Sequence, residues 1–386
     1  MFNSDLTSAM ERLAPPRLAE EWDNVGLLIG SPAWVLEGPV FLTIDLTESV
    51  LREAADAKAR AIIAYHPPIF HAQKRIVDGQ GAPMAQRLAL RAIEAGIAVY
   101  SPHTALDAVK GGITDWLADG LLDAPDALGT GGDRRALKLF AKTDPSAEVK
   151  IVTYAPESDL EKVRAALASA GAGHIGAYEL CSFAVAGTGT FFGGAGASPA
   201  VGQAGRLESV KEVRLEMVCP RRAVALAVAT LKQFHPYEEP AIDVYPLEPR
   251  PLRHVGVGRL VTLDQPASLH ELAGRLKRHL GVTYVQAASP VGDLAETKVR
   301  RIGVVPGSGG SLLGEAGADG CELFVTGELK HHEVNAALQS GMAVLLGGHT
   351  ATERGYLPIL AEKLGAALPG VKVVVSRADR DPLVFR

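Results

Sequence analysis

The sequence predicts an α/β protein, a mainly parallel sheet with helices on both faces, split by an inserted α+β domain. Three observations predict it. The first third alternates short, wholly apolar runs with amphipathic helical patterns, as strands buried on both faces require. Between residues 150 and 245 that rhythm gives way to a different order of elements, and from residue 260 it resumes. The length, 386 residues, also exceeds what one hydrophobic core fills, ~250–300 residues.

Taken in order, residues 40–45 (VFLTID), 61–65 (AIIAY) and 98–101 (AVYS) read as strands, separated by helical patterns over 48–60, 84–95 and 113–121. Residues 124–135 (APDALGTGGDRR) are rich in Gly, Pro and Asp and read as a linker. Strands over 150–154, 181–186, 213–218 and 242–245 with helices over 160–170 and 222–234 then give β-α-β-β-α-β, the ferredoxin-like order. A Pro-rich junction, 246–251, closes it, and strands follow at 301–305, 323–326 and 343–346. The economical division is 1–130 and 251–386 as two parts of one domain, with 136–250 inserted. Three consecutive domains is the rival.

Composition narrows the classes. Hydrophobic residues make up 47% and charged residues 22%, which suits packed cores and not a disordered chain. There are 39 basic and 44 acidic residues for a net charge of -5, which argues against a large nucleic-acid surface. Three scattered cysteines, Cys181, Cys219 and Cys321, make neither a disulfide framework nor a zinc ribbon. With no signal-peptide pattern and no apolar run of ~18 residues, a cytoplasmic protein without a membrane span is expected.

Polar chemistry collects where the strands end. Asp45 and Thr47, Tyr65 and His66, His103, Thr104 and Asp107, the turn Gly307, Ser308, Gly309, Gly310, Ser311, Glu328, and His349 each follow an apolar run. In open parallel sheets the ligand crevice lies beyond the carboxyl ends of the strands. His349 and Glu353, four apart at the start of a helical pattern over 350–364, share one face. His66 alone suits a structural histidine, and Asp107 alone a turn or cap. Together, two imidazoles and two carboxylates suit Zn, Mn or Fe(II), and carboxylates can bridge two such ions. The Gly307–Ser311 turn can hold phosphate on its backbone N–H groups, or be no more than a tight turn. Glu328 and His331 suit a proton-transfer or substrate role better than a ligand role. The segment HPYEEP (235–240) reads as a rigid turn.

The segments EEWDNVGLLIG (20–30), YHPPIF (65–70), SPHTALD (101–107), TGELKHHE (326–333) and GGHTATERG (347–355) resemble the Nif-three-like dinuclear-metal family, also labelled GTP cyclohydrolase I type 2 homologues. GAGHIGAYELCSF (171–183), EVRLEMVCP (212–220) and HPYEEPAIDVYPL (235–247) resemble the PII/CutA-like insert of its longer members. The resemblance implies a toroidal homohexamer with two divalent ions per subunit, and places His66, Asp107, His349 and Glu353 on ligand positions. Many members carry consecutive histidines where this chain has Tyr65-His66. A neutral phenol, pKa ~10 against ~6.5 for imidazole, is a poor ligand, so the second ion is expected to be weak. The implied activity is metal-dependent hydrolysis of a nucleotide, with opening of the GTP imidazole ring as the specific case and His103 or His331 relaying protons. The other reading is a non-catalytic regulatory or scaffold hexamer with an effector-binding insert.

Overall fold

A computed structural model describes residues 1–122, 133–140, 148–248 and 252–383. The chain divides into two compact units, Met1–Phe140 with Leu252–Arg386, and Ala141–Pro251. Residues 124–132 of the expected linker and 249–251 of the expected junction lie outside the described residues.

The first unit begins with α1 (Asn3–Leu13), β1 (Gly26–Ile29), β2 (Val40–Thr43), α2 (Glu48–Asp56), β3 (Ala61–Ala64), α3 (Met84–Glu94), β4 (Ala98–Ser101), α4 (His103–Ala108), α5 (Ile113–Asp119) and β5 (Asp133–Leu139). Local chemistry starts α2: the Thr47 side chain accepts from Val50 N, and Glu48 complements the helix dipole in the first turn.

The second unit comprises β6 (Glu148–Ala155), α6 (Leu160–Ser169), β7 (Phe183–Phe192), β8 (Leu207–Pro220), α7 (Val224–Phe234) and β9 (Ile242–Pro246). Its strands form one antiparallel sheet in the order β7-β8-β6-β9. Alternate residues such as Ile151, Leu215 and Met217 pack with Val163, Leu167, Ala227 and Leu231 of the two helices in a core of their own.

The chain then returns to the first unit with β10 (Gly256–Ser268), α8 (Leu269–Leu280), β11 (Gln286–Ala288), β12 (Lys298–Val304), α9 (Leu313–Ala318), β13 (Leu323–Thr326), α10 (His331–Gln339), β14 (Ala343–Leu346), α11 (Ala351–Arg354), α12 (Leu357–Ala367) and β15 (Val373–Val375). Helix α8 carries start and stop signals together, a Ser268 cap accepting from Glu271 N and Gly281 in the left-handed region at φ +66°.

The first unit differs from the single mainly parallel sheet expected: it holds two. One has the order β1-β4-β3-β2-β15, parallel except for β1. The other, β11-β14-β13-β12-β10-β5, is parallel only across β12, β13 and β14. Apolar runs report burial on both faces but not which sheet receives a strand, so pattern alone merges the two. Neighbouring residues of one strand serve different cores. Phe41, Ile62 and Val99 pack with α2 and α3, whereas Leu42, Ile63 and Tyr100 enter a core shared with Ile302, Val304, Leu323 and Leu345 of the other sheet. Asp133–Leu139 is a strand of that second sheet, so the expected start of the insert at 136 falls inside it. Residues 133–135, expected in the linker, belong to it as well.

Both sheets send the carboxyl ends of their parallel strands toward the residues singled out above: β2 to Asp45, β3 to Tyr65 and His66, β4 to His103, β12 to Gly307, β13 to Glu328 and β14 to His349. Among the described residues no helix is long and apolar enough to cross a membrane.

Candidate metal centre

The ends of β3 and β14 and the short helix α11 bring three donors together. One ligand atom from each of His66, His349 and Glu353 lies within 4.8 Å of the others. His66 Nε2 stands 3.6 Å from Glu353 Oε2, and His349 Nε2 stands 3.5 Å from Glu353 Oε1. These separations are long for hydrogen bonds. They match the spacing of neighbouring ligands around one tetrahedral ion, roughly 3.3–3.6 Å for bonds of ~2.0–2.2 Å. Glu353 is buried and its Oε2 has no hydrogen-bond partner, a costly state for an acid unless a cation completes it. The donors therefore fit a divalent ion.

Each imidazole is aimed by a carboxylate behind it. His66 Nδ1 lies 2.9 Å from Asp45 Oδ1, and His349 Nδ1 lies 3.0 Å from Glu328 Oε1. A carboxylate only accepts, so Nδ1 carries the hydrogen and Nε2 is left for the cation. Burial opposes charge on His66, yet the carboxylates of Asp45 and Glu353 win and push its pKa up to about 10. Without a metal, that ring holds a proton in the cation's place.

Backbone geometry makes room. Tyr65 N and His66 N continue the ladder beyond β3 to Thr43 O and Ile44 O. Gly307 sits at φ +61°, and a Cβ there would lie 2.4 Å from Glu353 Oε1 and 3.1 Å from His349 Nε2. It is locked by Thr352 Oγ1, which accepts from its N–H, and by Thr326 Oγ1 and Glu328 N, which donate to its carbonyl.

The other candidates are placed as follows. Asp107 is outside the trio: the Tyr65 hydroxyl donates to its Oδ1 at 2.7 Å. Burial lifts the Asp107 carboxyl to about 6, with opposing help from His103 and Tyr65. Tyr65 is buried, and burial followed by the Asp107 and Glu353 charges drives its phenol well above the usual range. Glu328 is the orienting acid behind His349, while His331 is exposed on α10 beside Asn335 and is not in the group. The glycine turn has its own neighbours. Cβ atoms at Gly309 and Gly310 would meet Thr326 Oγ1 at 2.6 Å and Glu333 Oε1 at 2.5 Å. Ser308 and Ser311 are exposed. An acid beside Gly310 disfavours phosphate there, and Gly307 packs instead against Glu353 and His349.

Sequence reasoning missed the pair Asp23 and His103. Asp23 Oδ1 is 2.7 Å from His103 Nδ1, and Asp23 Oδ2 accepts from Thr104 N at 3.1 Å. Burial opposes its charge, but His103 and Thr104 hold its carboxyl below the usual range. His103 takes φ +29°, rare for a residue with a side chain. Its ring stacks edge-on to Tyr65 and His66, with centroids 5.4 and 5.5 Å away, and to exposed Trp22 at 6.0 Å. The 80-residue separation hid the pairing. The signal that could have found it is that both residues lie in segments carrying the family resemblance, 20–30 and 101–107, each next to a strand.

A two-sheet α/β protein carrying a histidine–glutamate cluster suited to a metal is the class that fold and site define. The chain belongs to the Duf34/NIF3 (NGG1p interacting factor 3) family, whose model matches residues 1–382. It is 36% identical over 378 residues to the GTP cyclohydrolase 1 type 2 homolog of Bacillus subtilis (strain 168), covering 97% of this chain and 96% of that one. It is 35% identical over 381 residues to NIF3-like protein 1 of Rattus norvegicus, covering 98% and 91%. Among solved structures, the Bacillus cereus protein related to NIF3 matches with a TM-score of 0.66 and 32% identity, covering 100% of this chain and 99% of that one.

Proposed function

We propose that this protein is a metal-dependent hydrolase acting on a nucleotide, with GTP, opened at its imidazole ring, as the first substrate to test. The observation that carries the reading is the convergence of His66, His349 and Glu353, with an unsatisfied oxygen on the buried acid. The name of the Bacillus subtilis relative, GTP cyclohydrolase 1 type 2 homolog, directs the choice of substrate.

His66, His349 and Glu353 would hold one ion, and Asp107 would contribute to a second, weaker one. When bound, such an ion supplies Lewis acidity toward water and toward a carbonyl or phosphoryl oxygen. Asp45 and Glu328 fix the ring orientations. The His103–Asp23 pair, held beside Tyr65 and His66, would exchange a proton with a bound substrate, and Trp22 and Phe70, with ring centroids 5.8 Å apart, would offer it an aromatic edge. His331, exposed on α10, would act only if substrate extends that far. We further propose a homohexamer, as the family resemblance implies, with the Ala141–Pro251 unit as its PII/CutA-like module.

The test is direct. Metals per chain are measured, the loaded protein is incubated with GTP, and ring opening, which consumes one water, is followed by absorbance and mass spectrometry. Turnover that disappears in His349→Ala, with the assembly state unchanged, supports the reading. Stoichiometric metal with no turnover across a nucleotide panel overturns it in favour of a regulatory or scaffold protein.

A further inference from the structure

The second unit holds a cavity of about 360 Å³ where the end of β7, the loop that follows and the turn after α7 meet. That volume is in the range of small-molecule sites, ~300–1,000 Å³. Its lining includes three carboxylates, Glu212, Glu238 and Glu239, and no lysine or arginine. Glu238 is engaged by Ser198 N at 3.0 Å. Glu212 is half-buried, and Lys150 and Arg214 of this sheet pair with Glu216 instead.

The turn and the strand are both shaped to this cavity. His235 Nε2 lies 3.1 Å from Tyr154 O, so that nitrogen carries the hydrogen, and Nδ1 accepts from Tyr237 N at 3.1 Å. The neutral ring thus pins the HPYEEP turn and sets Tyr237 into the wall. The Tyr237 hydroxyl faces the Glu212 carboxylate, and burial followed by that carboxylate raises its pKa above the usual phenol range. On β7, Gly187 is opposite Glu212 and Gly189 one diagonal step on. A Cβ at Gly189 would lie 2.1 Å from Glu212 Oε2, so only glycine lets that carboxylate lie across the strand. Tyr154 and Phe191 add aromatic surface.

We propose that this cavity binds a small organic cation, a primary-amine or guanidinium compound with an apolar body. Glu212 and the Tyr237 oxygen accept from its N–H groups, and the aromatic rings cover its carbon skeleton. This site is in the second unit, apart from the metal-centre residues, and does not rest on the hydrolase reading.

The experiment titrates the full-length protein at pH 7 with phenethylamine and with agmatine by calorimetry, using phenylacetate as the shape-matched anion. At least one cation is expected to saturate at one site per chain, with no binding of phenylacetate. Glu212→Gln is expected to weaken binding roughly tenfold or more, as loss of a charged hydrogen-bond partner does, and His349→Ala to leave it unchanged. Ala200→Trp, at an exposed rim position, blocks the mouth and keeps the test decisive if Glu212→Gln fails to fold. Saturation by neither cation, equal binding of phenylacetate, or affinity unmoved in Glu212→Gln or Ala200→Trp overturns the proposal.

Discussion

His349 and Glu328 follow neighbouring parallel strands and meet across them, Nδ1 to Oε1 at 3.0 Å, so the opposite ring nitrogen is turned onto Glu353. Glu328 would therefore govern the binding of a cation without touching it. Glu328→Gln keeps the side-chain shape but offers His349 a weaker and reversible partner. Metal affinity, measured by competition with a chromophoric chelator, is expected to fall by roughly 10–100-fold, while circular dichroism stays unchanged. Unaltered affinity would show that His349 needs no orienting acid.

Gly307 connects backbone conformation to the same cluster. Gly307→Ala forces a side chain into the left-handed region, about 1–2 kcal/mol, and drives its Cβ into Glu353 Oε1. A melting temperature lowered by several degrees and a loss of most bound metal are expected together. Gly317→Ala, where a Cβ meets open space, is the control and retains its metal.

How far the site could be read from sequence depended on distance along the chain. His349 and Glu353 are four residues apart, and His66 ends an apolar run, so local pattern exposed all three. Asp23 with His103 and Asp45 with His66 are long-range pairs, visible only once β1 is laid beside β4 and β2 beside β3. The single helix expected over 350–364 is two, α11 and α12, because Pro358 in the first turn of α12 has no N–H to donate to the carbonyl of Arg354 and so cannot continue α11. The edge strands β1, β11 and β15 are only partly buried or exposed along most of their length, so they lack the wholly apolar, wholly buried run that marks β2, β3 and β4.

A proton and a bound cation would compete at His66. Its pKa of about 10 in the metal-free chain exceeds the ordinary 6.5, so its contribution to stability is complete below pH 6.5 and is lost as pH rises toward 10. Metal binding must release that proton, so affinity is expected to climb with pH across the same interval. Thermal melts of apo and metal-loaded protein between pH 6.5 and 10 check both: the apo chain declines, and the stabilisation by metal widens. A gap that narrows with rising pH would place the proton elsewhere.

Tyr65 stands beside Asp107, the acid proposed above to contribute to a second, weaker ion. Its neutral phenol donates to Asp107 and thereby uses one of that acid's oxygens. Tyr65→His supplies an imidazole and frees the carboxylate, so metal per chain, measured by mass spectrometry after dialysis, is expected to rise. Tyr65→Phe frees Asp107 without adding a donor and is expected to raise it less. No rise in either variant would show that Tyr65 is not what limits occupancy.

Arg259 joins the two chain segments of the first unit. It is fully buried on β10, and its guanidinium grips Asp115 of α5 at 2.8 and 3.2 Å while donating to the carbonyls of Gly256, Gly258 and Val109. Burial opposes charge on Asp115, but Arg259 holds its carboxyl below the usual range. Since a buried pair gains little over well-packed apolar groups, its removal whole and its removal by halves differ sharply. Arg259→Met leaves Asp115 facing only Gly111 N and the partly exposed Arg134, and a loss of about 3–5 kcal/mol is expected. Combining it with Asp115→Leu is expected to recover part of that loss, as read from denaturant melts of the single and double variants. A double variant no more stable than Arg259→Met would mean that the backbone carbonyls around the guanidinium, and not the carboxylate, are what require it.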